Sequence, residues 1–145
     1  MPAQPSLTLQ RRLNAAPAKV FRAWTEPAQI LKWMHPSHNE MIHAEVDARV
    51  EGRFQLVMRG EDGAEHAVSG RYLEVVPDAK LVFTWAWKST PEHESRVTVV
   101  LRPDGPAGDR TLLTLTHEQF ADEDSRDKHA AGWTSGLDGL ERYFA

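Results

Sequence analysis

The 145-residue chain contains no cysteine. That excludes disulfides, thiolate nucleophiles and cysteine-ligated zinc, and it suits a cytoplasmic address in a bacterium. No apolar stretch approaches the roughly 20 residues a membrane-spanning helix needs, so no membrane insertion is expected. Met1-Pro2-Ala3-Gln4-Pro5 has neither a charged n-region nor an apolar h-region, which argues against a secretory leader. The net charge is −4 and no run of five like charges occurs. Proteins that grip nucleic acid carry a basic stripe, so no nucleic-acid partner is expected. Ser69, Ser89, Ser95 and Ser135 stand in no Gly-x-Ser-x-Gly setting. A glycine-rich phosphate loop is missing as well, and no cofactor is expected. His35 and His38, with Glu40 and His43 nearby, lie in and just after a loop, not on one helical face. Their spacing fits no ordered zinc signature, so no metal is expected.

What is present describes one domain spanning residues 1–145. The chain is 41% hydrophobic and 26% charged, ordinary for a globular protein, but its five tryptophans are many for this length. Rings of that size must be housed in a core or a pocket. Ser6 to Leu13 alternates apolar and polar residues as a half-buried strand does. Asn14-Ala15-Ala16-Pro17 opens a helix with proline in its first turn, and Val20, Phe21 and Trp24 give it one apolar face. Glu26-Pro27 breaks it, and a second short helix carries Ile30, Leu31, Trp33 and Met34 before a loop over His35 to Asn39.

From there the period is two. Ile42, Ala44 and Val46 alternate with His43, Glu45 and Asp47, and Phe54, Leu56 and Met58 alternate with polar neighbours and Val57. Gly60-Glu61-Asp62-Gly63 is a hairpin turn. Strands follow over Ala67 to Val76, Leu81 to Trp87, Arg96 to Arg102 and Thr111 to His117. Trp85 and Trp87 share a face with Leu81 and Phe83, and His117 shares one with Leu113 and Leu115. Asp47, Arg49 and Glu51 alternate on one side as a solvated ionic edge. Seven strands, the last six with short connections, favour an antiparallel meander. Asp122-Glu123-Asp124 then caps a long helix. Ala130, Trp133, Leu137, Leu140 and Phe144 form its apolar stripe, with His129 at the edge. Gly132, Gly136 and Gly139 form a second stripe, where a strand or a ligand can come close to the backbone.

Three segments resemble a known family. They are Gly70 to Pro77 running on to Leu81-Val82-Phe83-Thr84-Trp85; Thr111 to Phe120; and His129-Ala130-Ala131-Gly132-Trp133 followed by Leu137, Leu140 and Tyr143. The resemblance is to the heat-shock-protein-90 ATPase activator-homologue group, within the START-like or SRPBCC helix-grip superfamily, and it covers Leu9 to Phe144. It implies an α+β helix-grip fold: a curved seven-stranded antiparallel sheet around a long C-terminal helix, with two short helices between strands 1 and 2. Members often carry paired glycines before the third strand, where this chain has Glu51-Gly52. The bend there is expected to persist through Gly52.

The resemblance also implies a cavity between helix and sheet. We expect Trp33, Phe54, Met58, Tyr72, Phe83, Trp85, His117, His129, Trp133 and Gly136 around it. Plain core packing is the other reading for Phe54, Phe83 and Trp133. His117 and His129 are either polar anchors for a ligand or structural histidines bonded to neighbours, since a buried imidazole without a partner is costly. Three functions follow as expectations. The first is binding of a small apolar or amphipathic ligand. The second is a co-chaperone-like interaction module with a protein partner or a second copy of the chain. The third is a cyclase, dehydratase or hydrolase using His117 or His129 as acid or base and Tyr72 as a hydrogen-bond donor.

Overall fold

A computed structural model of the protein describes residues 4–36 and 38–145; expectations resting on Met1, Pro2, Ala3 and Ser37 lie outside them. The elements run β1 (Leu7–Leu13), α1 (Pro17–Thr25), α2 (Pro27–Trp33), β2 (Glu40–Val46), β3 (Arg53–Arg59), β4 (Glu65–Val76), β5 (Lys80–Trp87), β6 (Ser95–Asp104), β7 (Arg110–Glu118) and α3 (Glu123–Tyr143). All strands join one curled antiparallel sheet in the order β1-β7-β6-β5-β4-β3-β2, the α+β architecture expected. β2 to β7 form a meander, and β1 closes onto β7 with Leu7 opposite His117 and Leu13 opposite Thr111.

Local chemistry sets the helices. Pro17 occupies the first turn of α1, where its missing N–H costs nothing. Val20, Ala23 and Trp24 turn inward from α1, and the Trp33 indole donates to the Ala23 carbonyl at 2.8 Å, fastening α2 to α1. Asp122 caps α3 by accepting from the Ser125 amide at 2.8 Å, with Glu123 and Asp124 in the positive first turn. The inward rows Leu81, Phe83 and Trp85, Val97, Val99 and Leu101, and Leu113, Leu115 and His117 meet Trp133, Leu137 and Leu140 of α3 in one continuous core.

Two strand expectations are corrected. A bulge between Met41 and His43 shifts the β2 register, so Met41 is buried while Ile42 stays half-exposed. Asp47, Arg49 and Glu51 lie on the turn after β2, not along a strand, with Arg49 Nε 2.8 Å from Asp47 Oδ2. The bend before β3 survives without paired glycines. Glu51 takes the left-handed conformation at φ 70°, and a Cβ on Gly52 would overlap the Asp47 carbonyl oxygen. The Glu51 and Tyr72 main chains exchange hydrogen bonds with this bend, Glu51 N–H to the Tyr72 carbonyl and Tyr72 N–H to the Gly52 carbonyl, both 2.9 Å.

Candidate functional site

The concave face of the sheet is filled unequally along its length. At one end α1 and α2 close over it. Phe54, Tyr72 and Phe83 pack there with ring centroids 5.4 to 5.8 Å apart, and Trp24, Ile30 and Met34 lie against them around a gap of only about 20 Å³. At the other end, beneath the first half of α3, the face stays open as a cleft of about 650 Å³. Met58 of β3, His66 of β4, and Trp85 and Trp87 of β5 make its sheet wall. Lys128, His129, Gly132, Trp133 and Gly136 of α3 make the opposite wall. Met34, His35, Pro36 and Asn39 close one side, and Ser89 and Thr90 after β5 complete the lining.

The glycine stripe does not face the sheet. A Cβ on Gly132 would first meet the Pro36 ring at 3.7 Å, on Gly136 the His35 carbonyl at 3.8 Å, and on Gly139 the Trp33 carbonyl at 3.3 Å. The chain from Trp33 to Pro36 therefore crosses α3 over these glycines, of which Gly132 and Gly136 also line the cleft.

Both histidines are held by tryptophans. Trp133 Nε1 donates to His117 Nδ1 at 3.0 Å, which puts the His117 proton on Nε2. Nε2 lies 2.7 Å from Ser95 Oγ and donates to it, and Ser95 passes its own hydrogen to the Trp85 carbonyl at 3.0 Å. His129 has the opposite tautomer. Its Nδ1 donates to the Ser125 carbonyl at 2.7 Å, and its Nε2 accepts from Trp87 Nε1 at 2.9 Å. The two imidazoles stand 5.0 Å apart. Burial pushes His117 down to about 2, and the neighbouring His129 adds to the shift. Burial lowers His129 as well, opposed by its bond to Ser125. Burial raises the Tyr72 phenol, and the charge of Asp47 works in the same direction. Every ring nitrogen of the pair is already engaged.

Of the residues expected around a cavity, Met58, Trp85, His129, Trp133 and Gly136 come together on the cleft. Trp33 is buried between the short helices, Phe54, Tyr72 and Phe83 fill the closed end, and His117 is fully buried behind Trp133. The Trp24 and Trp85 indole N–H groups are buried with no protein acceptor among the described residues. His38 and His43 turn to separate carboxylates, Glu61 at 3.0 Å and Glu45 at 3.1 Å.

Several lining residues escaped the sequence reading although a signal existed. His66 lies opposite Met58 in the ladder and has the same parity as inward Val68, and Trp87 shares its face with Trp85. Lys128 precedes Gly132 and Gly136 at successive steps of four, one ridge of the helix. His35, Pro36, Asn39, Ser89 and Thr90 are loop positions that carry no periodicity to read.

The family described as Activator of Hsp90 ATPase homolog 1-like protein matches residues 14–145. The crystal structure of a protein from Chromobacterium violaceum is 28% identical, with a TM-score of 0.87 over 99% of this chain and 98% of the other. An AHSA1 protein from Silicibacter pomeroyi is 28% identical, with a TM-score of 0.83 over 96% of each chain. CalU16 from Micromonospora echinospora is also 28% identical, with a TM-score of 0.73 over 97% of this chain and 76% of that one. Curated proteins contain no match to the chain.

Proposed function

The chain belongs to the Activator of Hsp90 ATPase homolog 1-like family, and from that premise we propose that it is a cytoplasmic binding module for a small apolar or amphipathic molecule, held between the sheet and α3. The observation that carries this reading is the cleft of about 650 Å³, within the usual size range of small-molecule sites. Its floor of Met34, Met58, Trp85 and Trp133 is buried, whereas His66, Ser89 and Lys128 at its rim are exposed. An apolar floor with a polar rim is what a molecule with an apolar body fits.

The enzymatic alternative draws less support. A general acid or base needs a nitrogen free to meet substrate, and His117 and His129 each spend both nitrogens on the protein. Tyr72 sits at the closed end, apart from the cleft lining. A co-chaperone-like role would call for a docking face for a protein partner. The large apolar residues exposed among the described ones are Leu31, Val50 and Val76, one each on α2, the β2–β3 turn and the end of β4.

The test is binding of a neutral apolar fluorophore such as N-phenyl-1-naphthylamine. Micromolar binding with quenching of tryptophan emission is expected. Gly136→Leu should obstruct the cleft and abolish binding, with an unchanged far-ultraviolet circular dichroism spectrum showing that the variant is folded. A probe that binds the leucine variant as tightly as wild type refutes the cleft reading.

A further inference from the structure

The chain carries 21 Asp and Glu residues and a net charge of −4, yet among the described residues no carboxylate lines the cleft. Among the described lining residues the one formal charge is the Lys128 ammonium. Asp124 contacts it at 3.1 Å from the preceding turn of α3, but both side chains are 77% exposed, so water screens the pair and leaves the ammonium able to take another partner. The remaining polar lining includes hydroxyls at Ser89 and Thr90 and the amide of Asn39, all able to donate.

Placement along the helix adds a direction. Lys128, Gly132 and Gly136 succeed one another along α3 and all three line the cleft, so the ammonium stands at one end of it, with Pro36 and His35 lying over the two glycines. From Lys128 to Gly136 the helix rises about 12 Å, the reach of a tail of about eight carbons. The buried rings of Trp85 and Trp133 and the side chains of Met34 and Met58 lie along the floor of the same cleft.

From this arrangement we propose that the ligand is an anionic amphipath. Its carboxylate-type head pairs with Lys128 at the rim, and its apolar tail of about eight carbons lies within the cleft over Met58, Trp85 and Trp133. This inference rests on the binding reading above and names the ligand's charge and length. A cationic ligand would instead exploit the indole faces of the wall, but among the described lining residues no carboxylate balances it, and Asp124 at the rim already faces Lys128.

Three ligands sharing one tail separate these cases: octanoate, octanol and octyltrimethylammonium, each titrated against the whole protein at low salt by tryptophan emission. Octanoate should bind about three- to tenfold more tightly than octanol, the worth of one rim ion pair. Lys128→Gln should remove that preference by weakening octanoate towards the affinity of octanol. Asp124→Asn, which frees the ammonium from its neighbour, should strengthen octanoate alone. Both residues are exposed, and an unchanged urea midpoint confirms that each variant is folded. If octanoate and octanol bind equally, or Lys128→Gln leaves the preference intact, the anionic assignment is overturned while the apolar cleft stands. Tightest binding by octyltrimethylammonium overturns it in favour of an indole-based cation site. If no ligand binds, the binding reading falls with it.

Discussion

Replacing Trp133 by alanine removes a buried ring that stacks on Trp24 at 5.9 Å and lies 5.2 Å from Trp85. The loss of burial and the cavity left behind should cost about 3–5 kcal/mol, read as a fall in the urea midpoint; a midpoint equal to wild type would remove Trp133 from the core. His117 then loses the donor at its Nδ1, a further debt that a phenylalanine at 133 would isolate. The same histidine fixes a dependence on pH. Its folded value near 2 lies below the unfolded value of about 6.5, so below that pH the unfolded chain takes up a proton that the native state refuses. Stability is therefore complete above about pH 6.5 and declines as the pH falls toward 2. Between pH 8 and pH 5 His117 alone should account for about 2 kcal/mol of loss, and the lowered His129 pushes the same way. Glutamine at 117 can still accept from Trp133 and donate to Ser95 but does not titrate. Urea unfolding of His117→Gln at the two pH values should show a drop smaller by that amount. Parallel pH curves for variant and wild type would refute the account.

At the level of elements, glycines with similar sequence contexts have opposite roles. A Cβ on Gly70 of β4 would run into the Thr84 carbonyl of β5 and the Phe54 ring, so it marks a close approach of two strand backbones. Gly70→Ala should destabilise by about 3 kcal/mol. Among the described residues, Gly136 of α3 has only the His35 carbonyl within ordinary contact, at 3.8 Å. Alanine there should raise the thermal midpoint, by up to about 1 kcal/mol of helix propensity, while narrowing the cleft. Differential scanning calorimetry of the two variants checks both signs, and a stabilised Gly70→Ala would show that β4 and β5 can separate at little cost. Sequence alone locates both glycines without ranking them, because the neighbour that decides each case belongs to another element. The bulge in β2 is hidden for a similar reason. Ile42, Ala44 and Val46 alternate cleanly, and only pairing against β3 reveals that Met41 takes the inward place.

For the molecule as a whole, the legible part was whatever follows from period and capping. The period-two stretches from Phe54 to Met58 and from Leu81 to Trp87 fall within strands, and Asp122 caps α3 where its acidic cluster predicted. The candidate site was legible only in part, because a row of inward rings such as Phe54, Phe83 and Trp85 does not say where along the sheet the short helices stop covering it. That boundary is set by the segment after α2, whose His35 and Pro36 carry no pattern of their own. The strand order also governs how the chain can be assembled as it is made. Each of β2 to β7 is next to a strand made just before or just after it, so the meander can pair as it emerges. β1 cannot, because Leu13 waits for Thr111 and Leu7 for His117. At about 5–20 residues per second of synthesis, β1 stays without its partner β7 for several seconds. During that interval the unpaired edge of β1 is open to other chains, so crowding on the ribosome, and not only the strength of the finished fold, bears on the yield of native protein.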